Sequence, residues 1–476
     1  MTKRCLPLIS GLLILIFSAC SPQAVITPDL APAGDVVVPA TQTPRVTSPP
    51  AIETAASPTQ EIVPLGLKPQ DLKGLSLRFW HPWTQENARA IQALVERFNQ
   101  ENAYGILVEA TPYSGDLYQD LRTGIGGGSL PHVAAAANFQ LQSWDRDGNI
   151  IVDLGSYLDD PEWGLSASEI SDYVPFIWAQ DVYQGKHLGL PVYRTAALIF
   201  YNQSWAQELG FDSPPATPEA FKEQACAAAA ASGVSVDHPG VGGWIAANDP
   251  ASLMSWVLAF EAEPLDQQVD VYEFNTPQAA AAFDFIKGLF KSGCAWVPED
   301  PYPNAEFASR QGLFYSSSLG GLLDQEAAFE DEQNSDQWVV LPYPGPSGDG
   351  VINLYGPAYA ILKATPAEQL AAWVFIHWLA QPENQVSLAE ASGFLPTRHA
   401  GYDLLGTSDG KHPRWSAAWD LVSYSRSEPV FGAWGVARWA LGDAFEALIN
   451  PDFTRQEIPL LLEDLDALLA EISANR

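Results

Sequence analysis

The stretch from Leu75 to Asn138 switches repeatedly between the period of a strand and the period of a helix, and this alternation restricts the fold more than any other feature of the chain. "LSLRFWHPW" alternates apolar and polar residues over a short strand, and "TQENARAIQALVERFNQEN" then sets Ala90, Ile91, Leu94, Val95 and Phe98 on one helical face. "YGILVEATPY" returns to strand. "LYQDLRTGIGGG" reads as a helix stopped by glycines, and "PHVAAAAN" as a third strand whose alanines suit burial on both faces. The order β-α-β-α-β predicts a parallel sheet covered by helices, an α/β fold. Ligands of such sheets bind beyond the carboxyl ends of the strands. That rule points to His81 through Gln85 after the first strand and to Asn138, Phe139 and Gln140 after the third.

The later chain repeats the mixture. "HLGLPVYRTAALIFYN" reads as extended, and "TPEAFKEQACAAAA" as a helix begun by Thr217 with Pro218 in its first turn. "TPQAAAAFDFIKGLFKSG" is a second helix of that design, with Gly293 as its stop. "QWVVLPYPGPSGDGVINLYGPAYAILK" predicts two strands around a Pro and Gly turn, and helices dominate from there to Arg476.

At the start, Lys3 and Arg4 precede an apolar run from Leu6 to Phe17, then Ser18, Ala19 and Cys20, the order of a cleavable export signal. The run is too short for a permanent membrane span. Phe17-Ser18-Ala19-Cys20 resembles the lipobox of bacterial lipoproteins, which implies removal of residues 1–19 and acylation of Cys20. From there to Lys68 the chain is rich in Pro, Thr, Ala and Ser and nearly free of aromatics. It cannot bury enough apolar surface to fold, so residues 20–68 are expected to form an extended tether.

About 400 residues remain, more than one core usually serves, which suggests two lobes. They hold no second run of eighteen apolar residues, so the body is expected to be water-soluble. A formal net charge of −33 argues against nucleic acid, whose phosphates need clustered Lys and Arg. With Cys5 lost with the signal and Cys20 acylated, Cys226 and Cys294 are left in an oxidising compartment and are expected to pair. Seven dispersed histidines offer no metal site, and no cofactor is implied.

Taken in order, these pieces resemble the extracellular solute-binding proteins of ATP-driven importers, specifically the sugar-binding group that includes maltose-binding protein. The likeness runs from about Leu75 to about Glu446, and "GKHLGLPVYRTAALIFYNQSWAQELGFDSPPATPEAFKEQA" is its most specific stretch, with Gly189-Leu190-Pro191, Tyr201-Asn202 and Gly210 placed as in the family. "YEFNTPQAAAAFDFIKGLFKSG" and "GFLPTR" also fit. The chain departs where His132 replaces a usual Asp, where "AFEAEPL" replaces a common Gly-Gly after Phe260, and in its long tether.

The resemblance implies a periplasmic-binding-protein-like fold: two α/β lobes, residues 69–193 with 356–405 and residues 194–355 with 406–476, closing by hinge motion on a ligand in the cleft. Crossings between the lobes would fall near Tyr193 to Thr195 and Asn353 to Gly356, with a third farther on. Partners would be a small solute and the permease subunits of the importer, with the membrane reached only through the lipid; a monomer is expected. Carbohydrates present apolar faces and polar edges, and the matching positions carry that mixture. They are His81, Trp83, Thr84 and Gln85; Asn138 and Phe139; Tyr193 and Arg194 at the first crossing. Farther on come Trp244, Asn248 and Asp249; Tyr315 and Ser316; Tyr355 at the second crossing; and Trp434 at a helix start. Trp80, Trp256, Trp373 and Trp378 lie in strand or helix patterns that suit the core.

Two other functions compete, besides a purely structural role at the cell surface. A secreted glycosidase would need two carboxylates at a defined separation, and none of the 57 acidic residues falls in a recognisable catalytic motif. A non-sugar solute such as a polyamine, polyol phosphate or peptide would want several convergent charges, and among the cleft positions Arg194 and Asp249 stand alone. Neutral carbohydrate therefore leads.

Overall fold

A computed structural model describes residues 65–113, 121, 130–233, 240–247, 249–266, 271–406, 413–429 and 433–474. The expected export signal, Cys20, the expected tether as far as residue 64, most of the helix expected over "LYQDLRTGIGGG", and Asn248 lie outside the described residues.

The strands that build the two main sheets begin with β1 (Ser76–His81), β2 (Leu107–Pro112), β3 (Val133–Ala137) and β4 (Leu190–Pro191). They continue with β5 (Thr195–Asn202), β6 (Gly242–Ile245), β7 (Ala295–Trp296), β8 (Gly312–Ser318) and β9 (Trp338–Leu341). The last are β10 (Tyr343–Pro344), β11 (Gly350–Tyr355), β12 (Pro357–Ile361) and β13 (Ser425–Ser427). Helices that frame them include α1 (Gln85–Glu101), α2 (Asn138–Gly148), α3 (Pro218–Ala231), α4 (Pro250–Ala259), α5 (Pro277–Lys291), α6 (Pro366–Leu379) and α7 (Trp434–Ile449). As the Thr-Pro pattern predicts, the Thr217 and Thr276 hydroxyls cap α3 and α5 by accepting the amides of Ala220 and Ala279.

The first sheet runs β2-β1-β3-β12-β4. Its first three strands are parallel, but β12 is antiparallel to both neighbours, so the sheet is mixed rather than parallel throughout. The reason is connectivity: β12 arrives directly from β11 of the other sheet, one residue away, with no crossover helix to turn it. The second sheet runs β7-β6-β8-β5-β11-β10, with β9 also on β5 and β13 on β11. β5 is its spine, and all eight of its residues are buried. Alternate side chains divide between two cores: Ala197, Ile199 and Tyr201 join Trp244, Trp256 and Phe221, while Ala196, Leu198 and Phe200 join Tyr315, Trp338 and Leu354. A further cluster covers the first sheet with Phe79, Tyr359, Trp373 and Phe375. Trp256 and Trp373 are fully buried, and Trp80 and Trp378 pack at cluster edges.

A disulfide joins Cys226 on α3 to Cys294, the residue before β7. It closes a loop 68 residues long, worth about 4 kcal/mol in the chain-entropy account. Leu65 and Leu67 pack against the first cluster, and the Leu65 amide donates to Asp160 Oδ2 at 2.9 Å, so contact with the folded body begins before Pro69. Leu395 and Leu405 pack in the cluster of Phe200 and Leu354, so this stretch serves the second sheet although it follows the first sheet's last strand.

Two of the three departures from the family pattern lie among the described residues. His132 donates its amide to the Arg78 carbonyl and accepts the Arg78 amide on Nδ1, both at 2.9 Å. Glu261, where glycine is common, takes a left-handed φ of 66° at the end of α4, a conformation that costs a non-glycine residue about 1–2 kcal/mol.

Candidate functional site

Two crossings join the sheets side by side. Chain passes from β4 to β5 through Val192, Tyr193 and Arg194, and from β11 to β12 through Gly356 alone. A Cβ on Gly356 would lie 2.5 Å from the Tyr193 carbonyl oxygen, so only glycine lets the crossings touch. A third segment joins them, because Arg194 and Leu395 exchange both backbone hydrogen bonds.

Arg194 belongs to this junction and not to the ligand surface. Its guanidinium donates to Asp181 Oδ2 at 2.6 Å, Gln180 Oε1 at 2.7 Å, and the Tyr193 and Pro357 carbonyls at 3.0 and 2.9 Å. Both Arg194 and Asp181 are fully buried. Burial without these partners would be prohibitive for either charge, so the pair fastens the crossings together.

Beside the crossings lies a cavity of about 350 Å³, within the range of small-ligand sites. Its walls come from both sheets. Pro82, Trp83, Asn138, Phe139 and Tyr193 line it from the first, and Thr195, Tyr355, Ser427, Glu428 and Arg438 from the second. Phe394 closes the side near the third segment, its ring 4.6 Å from that of Tyr193. Trp83 donates its indole N–H to the Tyr193 hydroxyl across the two loops. Phe139, at the start of α2, reaches α7, where a Cβ on Gly435 would lie 3.3 Å from its ring. The Thr195 Oγ1, buried in the wall, has no hydrogen-bond partner among the described residues.

The polar end of the cavity is one network. Glu428, 5 % exposed, accepts from the Trp434 indole N–H at 2.7 Å and from Arg438 Nη1 at 2.5 and 2.6 Å. Asn353 Nδ2 adds a longer bond at 3.3 Å. Burial opposes the charge on Arg438, but Glu428, Tyr355 and Asp249 together hold its pKa above the usual arginine value. The guanidinium also lies 5.7 Å from the centre of the Tyr355 ring. Burial, reinforced by the Asp249 charge, raises the Tyr355 pKa, so its hydroxyl remains a neutral donor near pH 7.

Sequence expectations therefore divide. Trp83, Asn138, Phe139, Tyr193 and Tyr355 come together on the cavity. Thr84 and Gln85 are exposed and do not line it; Gln85 has φ 50° at the head of α1. His81 lies behind Trp83, ring centres 5.2 Å apart, 1 % exposed, and burial pushes its pKa down to about 4. Trp244 and Ser316 sit in the core, bonded to each other at 2.9 Å, because β6 and β8 turn these side chains toward the Trp256 layer. Tyr315, the next position on β8, faces the opposite core against Phe200. Trp434 is fully buried on Tyr272, since its helical phase matches Ala437, Leu441 and Phe445; it serves the cavity only through Glu428. Asp249 caps α4 through the Ala251 amide and stands 3.9 Å from Arg438 Nη2. The sequence patterns do not single out Glu428 or Arg438; the one signal they carry is the spacing of Arg438 four residues, one helical turn, after Trp434.

The sequence profile described as bacterial extracellular solute-binding protein matches residues 93–423. The chain belongs to that family. The sn-glycerol-3-phosphate-binding periplasmic protein UgpB of Escherichia coli K12 is 23 % identical over 348 residues, covering 69 % of this chain and 76 % of that protein. Among solved structures, the sugar-binding protein MalE of Xanthomonas citri superposes with TM-score 0.71 at 21 % identity, covering 83 % of this chain and 98 % of that one. UgpB of Mycobacterium tuberculosis, solved with glycerophosphocholine, gives TM-score 0.65 at 19 % identity over 84 % of this chain and 98 % of that one. These likenesses establish the two-lobed fold of solute-binding proteins. Among the described residues, no helix is long and apolar enough to cross a membrane.

Proposed function

We propose that the chain captures a neutral carbohydrate in this cavity and hands it to an ATP-driven importer, while a lipid on Cys20 and the tether of residues 20–68 hold it at the outer face of the membrane. The observation that carries the proposal is the cavity itself: aromatic walls from Trp83, Phe139, Tyr193, Tyr355 and Phe394 meet a polar end where Arg438 is balanced by Glu428. Aromatic faces suit the C–H faces of a sugar ring, and a carboxylate beside a guanidinium serves hydroxyls that both donate and accept. Capture by lobe closure is the mode of action, and the closed complex is the form a permease would distinguish. The chain acts as a binder, in keeping with its relatives, rather than as a hydrolase. A monomer suffices for this role.

A second reading, a phosphorylated polyol, is favoured by Arg438 in the cavity and by the ligand named for the E. coli relative. A thermal-shift screen of the body from Leu65 onward, with mono- and oligosaccharides beside glycerol phosphates, separates the two. A saccharide at a hundred times its Kd should add about 2.7 kcal/mol of stability. Shifts from glycerol phosphates alone would replace the carbohydrate reading with the second one. For the anchor, palmitate should label the full chain in the producing cell and fail to label Cys20→Ala.

A further inference from the structure

We infer that Glu428 and Asp249 set the charge class of the ligand, cancelling Arg438 so that the cavity admits uncharged polyhydroxyl solutes and turns away phosphorylated ones. The inference rests on the carbohydrate reading and narrows it. Among the described residues that line the cavity, Arg438 is the only cation. Anion sites present uncompensated guanidinium or ammonium donors, and this guanidinium is compensated twice. Its Nη1 lies 2.5 and 2.6 Å from the two oxygens of Glu428, and its Nη2 lies 3.9 Å from Asp249 Oδ1. A phosphate entering here meets Arg438 with Glu428 beside it on the wall and the half-exposed Asp249 behind it, so no net positive charge faces the anion.

Glu428 cannot easily swing aside to release Arg438. The fully buried Trp434 holds its Oε2 at 2.7 Å, and Asn353 approaches its Oε1 at 3.3 Å. On the other side, the guanidinium is flanked by the Tyr355 ring. The Glu428–Arg438 pair is therefore a fixed pattern of donors and acceptors, suited to hydroxyl groups and unsuited to a dianion.

The test is calorimetric titration of glucose, maltose, glucose 6-phosphate and sn-glycerol 3-phosphate into four proteins: the native chain, Glu428→Gln, Asp249→Asn and the double variant Glu428→Gln/Arg438→Gln. The native chain should prefer the neutral solutes. Glu428→Gln should move the ratio of phosphate to neutral affinity by about tenfold or more toward the phosphates, the scale of one charged hydrogen-bond partner. That gain should weaken with salt and vanish in the double variant. Asp249→Asn, at a half-exposed position that leaves the core untouched, should shift the ratio the same way by roughly threefold, as befits a longer and wetter pair. An unchanged ratio in a folded Glu428→Gln protein overturns the inference, as does a gain that survives loss of Arg438. Should Glu428→Gln fail to fold, an unchanged ratio in Asp249→Asn overturns it. If no saccharide binds the native chain, the carbohydrate reading fails; a phosphate gain in Glu428→Gln that the double variant loses would still support the charge screen.

Discussion

Arg194 and Arg438 both stand beside the cavity, both pair with a buried carboxylate, and they do different work. At the crossings, Arg194 has its donors engaged by Asp181, Gln180 and two backbone carbonyls, and its side chain is 1 % exposed. At the far wall, Arg438 shares Glu428 with an indole and keeps 26 % of its side chain exposed. The first arginine is surrounded by two backbone carbonyls and two buried side chains and can only hold the crossings in register. The second has capacity left for a ligand. What separates a structural arginine from a binding one is therefore how many of its donors the fold itself has already satisfied.

The sharpest way to break this comparison is at the crossings. Asp181→Ala leaves Arg194 buried without its counter-charge and should cost about 3–5 kcal/mol in urea unfolding, while the fraction that folds binds ligand as before. A loss below about 1 kcal/mol would mean the junction does not depend on the pair. Next comes His81, packed behind Trp83 and neutral. Its folded pKa of about 4 lies below the ordinary 6.5, so stability is complete above pH 6.5 and declines as the pH falls toward 4. The decline attributable to this group is up to about 3 kcal/mol, and His81→Gln should flatten that part of the stability profile. At the wall, Gly435→Val pushes methyl groups toward the Phe139 ring, 3.3 Å from where a Cβ would begin. Overpacking of this kind costs about 1–3 kcal/mol of unliganded stability and, because Phe139 must shift in the cavity wall, should lower ligand affinity by roughly tenfold. Smallest is Glu261→Gly, far from both arginines, which should raise the melting temperature by relieving about 1 kcal/mol of left-handed strain.

Periodicity carried the fold a long way. Strand and helix patterns between Leu75 and Asn138 placed β1, α1, β2 and β3, and the Thr-Pro starts of α3 and α5 follow from capping chemistry that is local to a few residues. The antiparallel β12 was not legible, because strand direction depends on which sheet the preceding residues belong to. At the cavity the same limit recurs. Trp244, Tyr315 and Trp434 were placed by the kind of element they follow, whereas their exposure depends on which face meets another layer. Arg194 looked like a ligand contact because Asp181 and Gln180, which engage it, are more than ten residues earlier and carry no visible pairing signal. Glu428 and Arg438 were hidden for the converse reason. In a chain with 57 acidic residues a single glutamate reads as solvated surface, and only the packing of Trp434 and Asn353 around it reveals a buried one.

The central claim, that Arg438 works on a ligand and Arg194 on the fold, comes down to one calorimetric titration of a saccharide found in the thermal-shift screen, run on the native chain and on Arg438→Gln. The account predicts at least a tenfold loss of affinity in the folded variant, with unliganded stability lowered by about 1–3 kcal/mol because the buried Glu428 keeps only Trp434 and Asn353 as partners. Equal affinity in the two proteins would contradict it.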